Sequence, residues 1–337
     1  MSHTVKIRQY EEPLIVEDDE TVLEAALDKG LDYPFGCQSG ACGSCKSVVL
    51  SGEFELGDYQ PFVLNDEERA QNMTLACQTF PKSDMEIAYL DPDEPAEHPV
   101  LELDCAVESV ETGTHDIRVV KLTLPNGAID FTPGQFMELT FDGLPKRDYS
   151  IASQPGDSYL EFHIRLVPGG AVTPFVLDQL GKGDSVKVRG PLGVSYLRAK
   201  HRGPILALAG GSGLAPVKSI VDRALALEMQ QPIHLYFGVR DEQDLYLEDY
   251  FSGLAAAHDN FSFVPVLSDP TGATDRRTGF VHDAVKADFD TLDGNKVYIA
   301  GPPIMVDACT HEAIQLGVRQ DDFHADPFTT EAERQTS

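Results

Sequence analysis

Residues 36–45 read GCQSGACGSC, and this segment constrains the fold more than any other. Three glycines among ten residues exclude regular helix or strand. Cys37, Cys42 and Cys45 follow the spacing C-x4-C-x2-C, and Cys77 lies far downstream. That is the plant-type [2Fe–2S] spacing. Two irons need four thiolates, and three of them have to come from one tight loop. Gly36, Gly40 and Gly43 let backbone N–H groups approach the sulfurs, and Ser39, Ala41 and Ser44 fit the same crowding. The alternative is zinc, which favours paired C-x2-C units, and only Cys42 and Cys45 form such a pair. Cys105 and Cys309 stand alone and read as small buried hydrophobes.

The chain has 337 residues and a net charge of −29. That charge argues against nucleic acid or anionic lipid as a partner. The first 95 residues hold 20 acidic and 6 basic residues, a balance of −14, whereas the other 242 balance at −15. The acidity is thus concentrated in the cysteine-bearing part. It serves either solubility, including in a salty habitat, or a docking surface. No apolar run reaches the roughly 18 residues of a membrane span, and residues 1–12 lack the apolar core of a signal peptide. The expectation is a cytoplasmic protein.

The rest of the chain divides by periodicity. A hairpin over Val5–Tyr10 and Leu14–Val16 precedes a helix beginning at Thr21, with Glu24 completing a capping box and Gly30 as its stop. Asn65 to Asn72 suggests a short polar helix. Residues 91–99, DPDEPAEHP, have linker composition. From Leu103 to about Arg189 period-2 alternation predominates, as in a small antiparallel barrel. From Pro204 on, buried strands at Ile205–Ala209, Ile233–Val239, Phe261–Leu267 and Lys296–Ala300 alternate with helices, which predicts a parallel α/β sheet. The expected domains are 1–95, 96–199 and 200–328, with a disordered tail at 329–337.

Within the barrel, Arg147, Asp148, Tyr149 and Ser150 follow a strand and a proline turn. Bound flavin needs a flat ring to pack on, a donor near N5 and a cation for its pyrophosphate, which Tyr149, Ser150 and Arg147 supply. Gly169 and Gly170, followed by Thr173 before a helix, suggest an anion site built from backbone N–H groups. Arg165 can reach a phosphate. His163, on the same strand face, is either a cofactor contact or a packed strand residue.

In the α/β part, Gly210, Gly211 and Gly213 stand between a strand and a helix. A pyrophosphate can approach the backbone there, although the pattern departs from G-x-G-x-x-G. Asp241 and Glu242 end the next strand and suit the ribose hydroxyls of NADH, while Arg240 alternatively suits the 2′-phosphate of NADPH. Gly301 opens the last helix.

Taken together, these motifs resemble the reductase components of bacterial ring-hydroxylating dioxygenases, of the naphthalene dioxygenase reductase type. The resemblance runs to about Phe328. It rests on Thr114–Arg118, Pro133–Phe136, Arg147–Ser150, Phe162–Arg165, Val167–Gly170, Gly190–Gly193 and Tyr236–Arg240. It implies a β-grasp ferredoxin domain, a β-barrel FAD domain and an NAD domain. It further implies Arg147 on the FAD pyrophosphate, Tyr149 packed on the isoalloxazine, Ser150 at N5, and Gly210–Gly213 on the NADH pyrophosphate. Phe328, in Asp326-Pro327-Phe328, resembles the family's C-terminal aromatic over the flavin, so Ser150, Asp326 and Phe328 are the expected catalytic positions. Ala300 stands where many relatives carry cysteine. The implied activity passes electrons from NADH through FAD and the cluster to a Rieske ferredoxin or terminal oxygenase in aromatic breakdown. Alternatives are an electron donor to a deoxysugar dehydratase-type reductase, which shares the domain order, or to another monooxygenase, and a cofactor-depleted binding module is the non-enzyme alternative.

Overall fold

The computed structural model describes residues 2–91, 94–96 and 98–330. The parts of the linker and of the C-terminal tail at 92–93, 97 and 331–337 lie outside the described residues. The described chain forms two compact units, one of residues 2–95 with Thr329 and Thr330, the other of residues 96–328. None of its helices is long and apolar enough to cross a membrane.

In the first unit, strands β1 (Ser2–Ile7), β2 (Leu14–Glu17), β3 (Lys46–Ser51), β5 (Met73–Leu75) and β7 (Met85–Tyr89) form one sheet in the order β2-β1-β7-β3-β5, and β4 (Phe54–Leu56) pairs with β6 (Thr79–Pro81). The β1–β7 pairing is parallel, so the long connection between them must cross over, and helix α1 (Val22–Asp28) lies within it. Thr21 and Glu24 form the expected capping box, worth about 1 kcal/mol. Asn65 and Glu68 do the same for α2 (Asp66–Ala70).

The second unit begins with an antiparallel sheet of β8 (Leu101–Thr112), β9 (Ile117–Thr123), β10 (Phe136–Phe141), β11 (Arg147–Ser150), β12 (Tyr159–Arg165) and β13 (Ser185–Leu192), with helix α3 (Thr173–Asp178) packed on it. Its order is β11-β10-β13-β8-β9-β12, and a bridge from Ile151 to Phe162 joins the two edges into a barrel. The barrel core is apolar and includes Cys105.

A sheet of β14 (Ile205–Gly210), β15 (Ile233–Val239), β16 (Phe261–Leu267), β17 (Arg277–Thr278), β18 (Lys296–Gly301) and β19 (Phe323–Pro327) follows. Its order is β17-β16-β15-β14-β18-β19, parallel at every pairing. Helices α4 (Leu214–Ala226), α5 (Glu248–Ala257), α6 (Val281–Asp288) and α7 (Pro303–Gln315) connect the strands. β14 is buried along its whole length, which explains its unbroken apolar run. Cys309 is buried in α7. The unexpected element is β19, which brings Asp326 beside Ala300 of β18.

Candidate functional site

The four expected cluster cysteines converge on the loop between α1 and β3, together with the turn after β5. Cys45 and Cys77 sulfurs lie 3.3 Å apart. The Cys37 amide donates to the Cys42 sulfur at 3.3 Å, and the Ser39 and Ala41 amides donate to the Cys37 sulfur at 3.4 and 3.3 Å. A hydrogen bond from Cys42, then those of Ser39 and Ala41, outweigh burial and pull Cys37 down to about 6. A thiolate ligand is stabilised in this way.

The arrangement discriminates between metals. A single tetrahedral zinc draws all its ligand atoms within one small sphere. Here Cys45 and Cys77 form one close pair, and Cys37 and Cys42, hydrogen-bonded to each other, form the second. Two pairs, each suited to one iron, fit a binuclear cluster. Gly40 sits at φ +72°, and a Cβ there would stand 2.7 Å from the Asp58 carbonyl. The loop cannot close with any other residue at that position.

In the second unit, Arg147 and Tyr149 share one face of β11, because alternate strand residues point the same way. The Tyr149 hydroxyl is buried without a partner. Burial therefore pushes its pKa up. An orphaned hydroxyl beside a guanidinium fits a flavin carrying phosphates and a polar chain. On the opposite face, Ser150 Oγ donates to Asp326 Oδ2 at 2.9 Å, joining the barrel to β19 across 176 residues. The Phe328 amide donates to the Gly301 carbonyl at 2.8 Å, which fixes the chain just past Asp326.

Gly210, Gly211, Gly213 and Gly301 meet where β14 and β18 end. A Cβ on Gly213 would stand 2.1 Å from the Ala300 carbonyl, so helix α4 can start against β18 only with glycine there. Arg165 lies on this side. A Cβ on Gly211 would stand 3.1 Å from its guanidinium. Arg165 Nε donates to Asp116 Oδ2 at 2.9 Å, and Arg240 is 3.7 Å from the same oxygen and 3.3 Å from Asp244. Two arginines thus flank the glycine turn, held by carboxylates. Asp116 and Asp244 were missed in the sequence because their role arises only from this packing.

Three of the expected cofactor contacts have partners within the protein. His163 has both ring nitrogens engaged inside the protein, 2.9 Å from the Tyr246 hydroxyl and 3.2 Å from Glu161, with its side chain fully buried. It is a packed, hydrogen-bonded strand residue. Thr173 spends its hydroxyl on the Val167 amide at 2.8 Å, so the Gly169–Gly170 segment is tied to the six-residue α3. Asp241, expected at a ribose, accepts from the Glu242 amide at 2.8 Å and the Thr271 hydroxyl at 2.7 Å. It caps the turn after β15 and anchors the β16–β17 connection.

Comparison with known proteins agrees with the three layers. Residues 5–82 match the 2Fe-2S iron-sulfur cluster binding domain, 104–196 the oxidoreductase FAD-binding domain, and 207–311 the oxidoreductase NAD-binding domain. The chain is 38% identical, over 94% of its length and 95% of the relative's, to the ferredoxin–NAD(P)(+) reductase component of the naphthalene 1,2-dioxygenase/salicylate 5-hydroxylase systems of Ralstonia sp.. It is 37% identical to the reductase component of phenol 2-monooxygenase from Pseudomonas sp., covering 99% and 96% of the two chains. A crystal structure of an Amycolatopsis cytochrome P450 reductase superposes with a TM-score of 0.76 at 36% identity, covering 97% of this chain and 99% of that one. This chain therefore belongs to the family of oxygenase reductase components, oxidoreductases that combine [2Fe–2S], FAD and NAD-binding domains in one polypeptide.

Proposed function

We propose that this protein draws electrons from NADH and delivers them to the oxygenase, or the Rieske ferredoxin serving it, of an aromatic ring-hydroxylating system. The observation that carries the reading is the hydrogen bond between Ser150 and Asp326 at the head of the glycine turn. Flavin, when bound, accepts electrons as a hydride pair and returns them singly, as a [2Fe–2S] centre requires.

The residues divide the work. Arg147 binds phosphate and Tyr149 gives the isoalloxazine a flat face, its free hydroxyl meeting a polar group of the cofactor. Ser150 hydrogen-bonds the flavin edge, and Asp326 holds that hydroxyl in place and can take or return a proton. The Gly210–Gly213 backbone and Arg165 receive the dinucleotide pyrophosphate. Phe328 covers the flavin face until nicotinamide takes its place. Asp241, Glu242 and Asp244 crowd the end of β15, so the 2′-phosphate of NADPH would meet carboxylates there. Cys37, Cys42, Cys45 and Cys77 hold the cluster.

The test is reconstitution. Purified protein should oxidise NADH with a larger kcat/KM than NADPH and support product formation when mixed with an aromatic oxygenase component. Equal efficiency with NADPH would reverse the donor assignment. Failure to drive any aromatic oxygenase, with cytochrome c reduction intact, would redirect the search to other acceptors.

A further inference from the structure

Three buried polar side chains lead in line to the glycine turn. Glu161 and His163 share a face of β12, with Glu161 Oε1 3.2 Å from His163 Nε2. His163 Nδ1 is 2.9 Å from the Tyr246 hydroxyl, which is 3.3 Å from the Gly211 carbonyl. The His163 and Tyr246 rings meet edge to face at 5.3 Å, and Phe237 meets Tyr246 likewise at 5.7 Å. The line is therefore rigid.

The protons available along the line set what it can do. Burial would raise Glu161, but the His163 hydrogen bond and the charges of Lys218 and Lys121 overcome it and hold the acid at about 2. A carboxylate only accepts, so His163 Nε2 carries a proton. With a neutral ring, Nδ1 is bare and draws the single tyrosine proton, leaving none for Gly211. With a protonated ring, Nδ1 donates to the tyrosine oxygen, and the hydroxyl proton turns to the Gly211 carbonyl. One proton decides whether the chain of bonds reaches the turn.

We propose that His163 and Tyr246 are positioning residues for the dinucleotide: a proton on His163 re-aims the Tyr246 hydroxyl onto Gly211 and sets the turn for NADH. The inference rests on the reading of Gly210–Gly213 as the pyrophosphate site. The charged groups around the ring are Glu161 and Arg165 on β12, Lys121 on β9, Asp116 just before β9, and Lys218 with Asp222 on α4. Lys218 and Lys121 compensate Glu161, so Glu161 does not by itself fix the ring as a cation. A pyrophosphate at the turn adds negative charge nearby and favours the protonated ring. Binding therefore takes up a proton, and affinity rises as pH falls. Burial lowers His163 from the ordinary histidine value, placing the change on the acid side of neutrality.

The experiment measures the NADH dissociation constant of the holoenzyme by rapid-mixing flavin reduction across the range from mildly acid to mildly alkaline pH. Wild-type affinity should tighten several-fold toward acid. His163→Gln should abolish that limb. Tyr246→Phe should also abolish it and weaken acid-side binding about five-fold, as one lost hydrogen bond does, with the limiting reduction rate retained. A limb that persists in His163→Gln, or a flat wild-type profile, overturns the proposal. Gly211→Ala separates the underlying reading: unchanged NADH affinity in that variant refutes the pyrophosphate site itself, whereas weakened affinity beside a flat wild-type profile refutes only the relay. Calorimetry of NAD+ binding to the wild-type protein in buffers of different ionisation enthalpy needs no variant. It should show proton uptake, and zero uptake overturns the proposal.

Discussion

The cluster loop and the Ser150–Asp326 centre solve the same problem, holding a redox cofactor, by opposite means. The loop is local: three of its four sulfurs come from nine consecutive residues, and the loop's own amides point at them. The other centre is assembled from β11, β12, β14, β18 and β19, and its key hydrogen bond spans 176 residues. A local site is insulated from distant packing but fails completely when a ligand is lost. An assembled site degrades in steps and can be damaged from far away.

The largest effect is expected at the loop. Cys42→Ser should eliminate the visible and paramagnetic signals of the cluster while flavin stays bound. The cluster follows the flavin in the electron path, so it is electron delivery to a protein acceptor that suffers, falling by more than about 100-fold, beyond what loss of a residue that only orients a ligand typically costs. NADH-driven ferricyanide reduction, taken from the flavin, should survive. A normal [2Fe–2S] spectrum in the reduced variant would refute the ligand assignment.

Distant damage to the assembled centre comes next. Asp322, just before β19, lies 2.9 Å from Lys296 Nζ and 2.6 Å from Arg319, and both Asp322 and Lys296 are buried. Asp322→Asn removes the charge facing Lys296, which keeps the Asp321 carbonyl at 3.2 Å, and breaking a buried pair costs up to about 3–5 kcal/mol. The second unit should melt earlier and NADH oxidation should weaken, with the cluster spectrum unchanged. Burial opposes ionisation of Asp322, but Lys296 and Arg319 prevail and lower its pKa. Its stabilisation is therefore complete above the unfolded value of about 3.9 and is lost as pH falls through the lower folded value. A cluster lost together with the NADH site would show that the two units are not insulated.

Within the assembled centre, Ser150→Ala should slow flavin reduction by up to about 100-fold, as removal of one preorganised hydrogen-bonding group does. Asp326→Asn should do less, because the amide oxygen still accepts from Ser150. Flavin content and the rate of flavin reduction at saturating NADH distinguish a chemical defect from lost cofactor. Full activity in Ser150→Ala would reduce the contact to a structural clip.

The same contrast explains what could be read from the chain. The cysteine loop carries its ligand spacing in ten residues, and the strand and helix boundaries of the α/β layer follow from apolar periodicity, as at Ile233–Val239 and Phe261–Leu267. The capping box at Thr21 is equally local. The partners of His163 and Arg165 were not legible, because Tyr246 and Asp116 reach them only through tertiary packing. Asp241 shows the same limit. A carboxylate at a strand end suits a ribose and equally suits a backbone cap, and its partner Thr271, thirty residues away, could not be read from the sequence. β19 is short, and its buried Ala325 is flanked by His324 and Asp326, so nothing but its pairing with β18 announces it.

The smallest effect tests what the acidity of the first unit is for. Residues 1–95 balance at −14. Part of that charge adjoins the cluster: Val63 lies against the loop at Gly43, and α2 begins three residues later with Asp66, Glu67 and Glu68. Asp66 is fully exposed, whereas Glu68 is drawn to Lys46 at 2.7 Å. Exposed carboxylates beside an electron-exit loop should speed the encounter with a positively charged partner, chiefly through the on-rate. Such steering is screened beyond about 10 Å at 0.1 M salt. Electron delivery to the partner should therefore slow several-fold between low and moderate salt, while NADH-driven reduction of a small neutral acceptor stays nearly constant. Asp66→Asn with Glu67→Gln should lower the low-salt rate and flatten the salt dependence, leaving the cluster spectrum intact. A partner rate indifferent to salt would assign the charge to solubility instead, and the local site would then owe its partner recognition to shape alone.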